Sequence, residues 1–190
     1  MNKTELLIKI TGWINWTSTH NQYDISLFKI WINLEKYYSE MFRIYSIGGS
    51  SEDGYTPIRR LSFDSDEQFN AFLKNSNSTF IDYTKQIPAL SPFIFNPNPF
   101  DFLTSDLIYH AVFDEVSKIR NFIAHESPES KKKLQSLPQF KDEYFNDFNK
   151  YLKLNKKNHS ETIYSYYVKK IKEMAELISN PIVVSTAVTP

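Results

Sequence analysis

Thr104-Ser-Asp-Leu-Ile-Tyr-His-Ala-Val-Phe-Asp-Glu-Val-Ser-Lys-Ile-Arg-Asn-Phe-Ile-Ala-His125 is the stretch that decides how this chain folds. Ile108, Val112, Val116, Ile119 and Ile123 recur along it at helical spacing, so it reads as one amphipathic helix with its apolar stripe toward a core. Pro128, just beyond, marks its end. With Val112 as zero and about 100° per residue, Arg120 falls at about 80°, Asn121 at about 180° and His125 at about 220°. Asn121 and His125 are therefore i, i+4 neighbours on the non-core face, with Arg120 on its flank. His110 and Asp114 share that face upstream. Ser117 and Ala124 place small side chains between Arg120 and His125, which lets another backbone or a substrate come close.

Upstream, residues 24–45 form a second strong helical pattern, carried by Ile25, Phe28, Trp31, Ile32, Leu34, Glu35, Tyr38, Phe42 and Tyr45. Asp24 is its expected N-cap and Ile47-Gly48-Gly49 its stop. Residues 50–63 read as a polar surface loop, and Ser65-Asp66-Glu67 opens a short helix through Phe69, Phe72 and Leu73. Pro88, Pro92, Pro97 and Pro99 predict an extended, non-helical crossing that still buries Phe93, Ile94 and Phe95. Two more helices are expected over about residues 140–154 and 162–179. The fold class is all-α: a bundle of four to five main helices, with residues 1–181 as one domain and 182–190 as an extended or disordered tail.

At 190 residues the chain is long enough for one substantial core and short for two ordinary domains. Its 15 Phe and 12 Tyr exclude a disordered chain. Lys plus Arg equals Asp plus Glu at 22 each, so the field of a general nucleic-acid coat is missing and any RNA contact must be local. With no cysteine, disulfides, thiolate nucleophiles and cysteine-ligated zinc are excluded. The histidines His20, His110, His125 and His159 show no H-x3-H or H-E-x2-H spacing, and Gly48-Gly49 reads as a linker rather than a phosphate loop. No metal and no cofactor are expected. The apolar run within residues 1–8 is too short for a secretion signal and carries Glu5. No apolar stretch approaches the about 20 residues that span a bilayer. The default compartment is the cytoplasm, with no membrane contact.

Chemically, Arg120 is always charged and suits a developing phosphate charge, while His125 can move a proton near neutral pH. RNA supplies its own 2′-hydroxyl nucleophile, so an acid–base group and a charge clamp are a minimum kit for cutting it. The competing explanation is that both residues complement the macrodipole at a helix C-terminus. Glu35, beside Trp31 and Tyr38, reads either as a core glutamate paired with a cation or tyrosine hydroxyls, or as a second catalytic or orienting acid near Arg120. Ser127 and Lys131-Lys132-Lys133 either extend phosphate contacts past the helix end or are plain solvated surface. The tyrosines in 164–167 stack bases or, more commonly on a terminal helix, pack.

Phe113-Asp114-Glu115-Val116-Ser117-Lys118-Ile119-Arg120-Asn121-Phe122-Ile123-Ala124-His125 resembles the signature of the HEPN superfamily, an arginine, a polar residue and then a histidine at the end of a bundle helix. The spacing here is R-x4-H with Asn121 in the polar slot. Phe28, Trp31, Leu34, Glu35 and Tyr38 resemble the aromatic-rich early helix of such bundles. Many members carry glycine after the histidine, where this chain has Glu126, and the proline-bearing crossing is longer than in minimal members. The resemblance implies a HEPN-like homodimer whose motif helices form a composite cleft, acting as a metal-independent endoribonuclease in toxin–antitoxin or antiviral defence. It implies that His125 assists proton transfer at the 2′-hydroxyl or the leaving oxygen, Arg120 holds the scissile phosphate and Asn121 orients His125 or that phosphate. Glu126 would alter the charge at that site. RNA, a second copy and an antitoxin or regulatory protein are the implied partners. The rival is a non-catalytic helical module that binds a partner protein or a nucleotide.

Overall fold

The computed structural model describes residues 1–74 and 83–181. In chain order its helices are α1 (Lys3–His20), α2 (Tyr23–Ser46), α3 (Asp66–Lys74), α4 (Tyr83–Ile94), α5 (Phe102–Ser105), α6 (Leu107–His125), α7 (Pro128–Leu134), α8 (Phe148–Lys153) and α9 (Ile163–Ser179). A 3-10 turn, Asp142–Phe145, precedes α8. Among the described residues there is no strand, only the isolated bridges Arg59–Phe95 and Asn155–Thr162. The all-helical class is therefore as the sequence reads. The proposed tail, 182–190, lies outside the described residues.

α2 is the spine of the core. Leu27, Ile30, Trp31, Leu34, Tyr37, Met41 and Tyr45 are all buried along it, and it packs on α1, α6 and α9. Phe42 makes edge-to-face contacts with Phe69, Phe95 and Phe100 at 5.5, 6.0 and 5.6 Å, which fix how α3 and the segment after α4 lie on the spine. Such pairs contribute about 0.5–1.5 kcal/mol each beyond their burial. The loop after α2 is tied down rather than free. Asp53 accepts from Lys3 at 2.6 Å and from Ser179, joining α1, this loop and the end of α9. Gly48, at φ +92°, ends α2, and a Cβ there would meet the Arg59 guanidinium at 2.7 Å.

Several expectations are corrected. α1 was not read as a helix, although Asn2 and Glu5 form a capping box at its start and Leu6 and Ile10 bury one face. Asp24 is not the cap of α2. The Tyr23 and Asp24 amides instead donate to Oδ1 of Asn149, a residue of α8, at 2.6 and 3.2 Å. The crossing over 88–99 is extended only in part, because Pro88 and Pro92 lie inside helix α4. The prolines stand four apart, so the lost amide bonds fall on one side, and the burial of Ile87 and Ile94 keeps the turn helical. Ile94 and Phe95 are buried as expected, but Phe93 is 71% exposed. The helix expected over 140–154 is broken into the 3-10 turn and α8. There Phe140 packs against Tyr144, Phe145, Phe148 and Tyr151, an aromatic knot that one continuous helix could not form, because it would hold Phe140 and Tyr151 about 16 Å apart along its axis.

The motif helix starts later than its pattern suggests. Asp106 is extended (ψ 115°) and separates α5 from α6, and its carboxylate accepts from the Ile108 and Tyr109 amides at 2.8 and 3.2 Å. Val112, Val116 and Ile119 are buried as expected, but Phe122 joins them, while Ile108 is 52% exposed. Glu126 closes α6 in the left-handed conformation, φ +45°, with its amide on the Phe122 carbonyl at 2.8 Å. Ser127 then caps α7, which Pro128 enters at its first position.

Candidate functional site

Arg120 leans off α6 toward α2. Its Nη1 donates to Asn121 Oδ1 at 2.9 Å, and its Nη2 lies 3.7 Å from Glu35 Oε2. Glu35 is itself held from behind, since the indole of fully buried Trp31 donates to Oε1 at 2.9 Å. Both readings of Glu35 thus meet in one geometry: it is a half-buried glutamate paired with an arginine, and that arginine is Arg120. Two polar atoms nearby, Arg120 Nε and Ser117 Oγ, are buried and have no hydrogen-bond partner within the protein. A buried donor left in this state costs about 1–3 kcal/mol, and, closed to solvent, neither atom is open to a ligand in the cleft.

These groups line an open cleft of about 1310 Å³. Its walls are α2, with Ile32, Glu35, Lys36, Ser39, Glu40 and Arg43, and α6, with His110, Phe113, Asp114, Ser117, Lys118, Arg120 and Asn121. Asn70 of α3 and Lys133 of α7 add to the rim. Five cations (Lys36, Arg43, Lys118, Arg120 and Lys133) face three carboxylates (Glu35, Glu40 and Asp114) in this cleft. Arg43 and Lys133 are also paired with Asp66 and Glu129 outside that lining, so among the described residues the charges around the cleft balance, and any RNA contact rests on individual cations.

The cations differ in how firmly they are held. Arg43 gives Nη1 to both oxygens of Asp66 (2.7 and 2.8 Å) and Nε and Nη2 to Glu40 (3.2 and 2.6 Å). Those hydrogen bonds hold the Glu40 carboxyl below its usual range. Lys118 pairs with Asp114 at 2.7 Å, and Lys133 with Glu129 at 2.7 Å.

Of the residues singled out by sequence, the cleft gathers Arg120, Asn121, Glu35, His110, Asp114 and Ser117. His125, Glu126 and Ser127 stand outside it. His125 is exposed in the last turn of α6, and Ser127 is occupied as a cap, its hydroxyl accepting from the Ser130 amide at 3.1 Å. Of the lysine run, only Lys133 reaches the cleft, whereas Lys131 lies over the Phe145 ring. Lys36, Ser39, Glu40 and Arg43 were missed. Their signal was present as a polar stripe at i, i+3, i+4 and i+7 spacing from Lys36, on the side of α2 away from its buried residues. Among the described residues no three His, Asp or Glu side chains cluster as a metal site. No described helix is long and apolar enough to cross a membrane. Compared with known proteins, the chain matches no family model, no curated protein and no solved structure.

Proposed function

We propose that this chain is a metal-independent endoribonuclease of the HEPN type, working as a homodimer and serving as a toxin or antiviral-defence effector in the cytoplasm. The observation that carries the reading is Arg120: one nitrogen is fixed by Asn121, another faces Glu35, and the side chain, 32% exposed, lines the cleft. A phosphate oxygen suits a guanidinium fork held in this way. The ribose 2′-hydroxyl attacks phosphorus, the 5′-oxygen leaves, and a 2′,3′-cyclic phosphate and a 5′-hydroxyl result. Arg120 offsets the charge on the non-bridging oxygens, and Asn121 sets the angle of Arg120. His125 takes the 2′-hydroxyl proton or gives one to the leaving oxygen. Because His125 projects outside its own cleft, it serves the cleft of a second copy.

The test is RNA cleavage in EDTA with analysis of the new ends. Wild type should leave 2′,3′-cyclic phosphates, and Arg120→Ala and His125→Ala should each lose cleavage while keeping the wild-type circular dichroism spectrum. Undiminished cleavage in both variants sinks the proposal.

A second reading has its own observation. Leu107 and Ile108, at the start of α6, are 86% and 52% exposed, which suits a helical module that binds a partner protein without catalysis. It expects no cleavage by wild type, and loss of assembly on changing these two residues.

A further inference from the structure

The cleft is much larger than its best-defined contact. Each wall, Ile32 to Arg43 on α2 and His110 to Asn121 on α6, runs about 16 Å at 1.5 Å per residue. A stacked nucleic-acid strand rises about 3.4 Å per nucleotide, so the walls span about five nucleotides, whereas Arg120 accounts for one phosphate. Its volume of about 1310 Å³ also exceeds the about 300–1,000 Å³ of ordinary small-molecule pockets.

The remaining cations are not equally free to meet a strand. Arg43 has its whole fork engaged by Glu40 and Asp66, so it braces α2 against α3 and offers nothing to a ligand. Lys36 is exposed and has no ion-pair partner among the described residues. Lys118 pairs with Asp114, whose side chain is 54% exposed, and donates to Ser136 Oγ at 3.3 Å; the ion pair is a solvent-screened i, i+4 pair that a phosphate can displace. Lys36 and Lys118 stand on opposite walls, and Arg120 shares the wall of Lys118 two residues on.

We infer that Lys36 and Lys118 form flanking-phosphate subsites, which hold the nucleotides on either side of the one clamped by Arg120. The inference rests on the ribonuclease reading of the cleft and gives that reading its substrate form: a single strand of about five nucleotides, bound through its backbone, with Lys36 and Lys118 supplying affinity and Arg120 the reaction.

The test uses a fluorescent single-stranded RNA octamer, 2′-O-methylated throughout so that it lacks the nucleophile, titrated at several salt concentrations. Each single-strand phosphate contact contributes about 0.7 to the slope of log affinity against log salt. Lys36→Ala and Lys118→Ala should each weaken binding and lower that slope by about 0.7, with the double variant losing about twice as much. Lys150→Ala, which removes an exposed charge on α8 away from the cleft, should leave it unchanged. Inorganic phosphate at the same phosphate concentration should not displace the octamer. If Lys36→Ala and Lys118→Ala behave like Lys150→Ala, or inorganic phosphate competes as well as the strand, the subsites are refuted. If wild type binds the octamer with these slopes yet never cuts unmodified RNA in EDTA, the ribonuclease reading fails and the strand-binding track stands.

Discussion

Arg120 and His125 are five residues apart on one helix, about 500° of rotation, so they leave α6 about 140° apart. Arg120 turns to Glu35 and lines the cleft, whereas His125 is exposed and does not. If both act on one phosphate, they come from different copies, and complementation between two inactive variants tests this. Arg120→Ala and His125→Ala chains would be co-expressed with different tags and the mixed dimer purified through both. By two-fold symmetry it holds two composite sites. One lacks both groups, and the other keeps the arginine of one chain and the histidine of its partner. Loss of an oxyanion-type donor costs about 10²–10³ in rate, and loss of a proton-transfer group about 10²–10⁴. The parents therefore set a low floor, and the mixed dimer should return about half the wild-type rate, measured as 2′,3′-cyclic ends formed in EDTA. If the mixed dimer stays at the level of its parents, the two residues serve the same chain and the composite site is refuted.

Asn149→Ala removes the acceptor that caps α2 from α8, and at about 1 kcal/mol for a lost N-cap it should lower Tm by about 2–4 °C in thermal unfolding. Asn149→Asp should recover most of the loss, and an unchanged Tm in the alanine variant would mean those amides find another acceptor without cost. Glu126→Gly relieves a side chain held at φ +45°, where L residues lose about 1–2 kcal/mol, against about 0.5–1 kcal/mol of added chain entropy. It should therefore raise Tm slightly, by up to about 2–4 °C, and a lower Tm would show that Glu126 makes a compensating contact.

Long apolar periodicity was the legible part of this fold. α2, the core face of α6 and α9 came directly from it, because burial of a stripe depends on spacing that the sequence displays. What the sequence hid depended on remote partners. Nothing near Tyr23 announces that Asn149 will cap α2, so Asp24 looked like the better cap. Pro88 and Pro92 argued for extended chain by local rules, and packing of Ile87 and Ile94 overruled them. α1 had a readable start in Asn2 and Glu5, but Gly12 and its tryptophans and threonines blur the periodic face behind it.

The same distinction separates the two residues of the candidate site. A cation that served only the helix dipole would stay near the last carbonyls of α6 and keep its nitrogens solvated. Arg120 instead turns across to α2, uses Asn121 and Glu35 to fix its fork, and buries Nε without a partner. End-capping gives no reason for that arrangement, whereas the Glu35 carboxylate does. His125 is the opposite case. Exposed in the final turn of α6, it is fully accounted for by the dipole when one chain is considered alone. The ribonuclease reading therefore requires a phosphate at Arg120 and a second copy to use His125. The early helix sets where Arg120 points, because without Trp31 behind Glu35 the arginine would have no reason to leave its own helix.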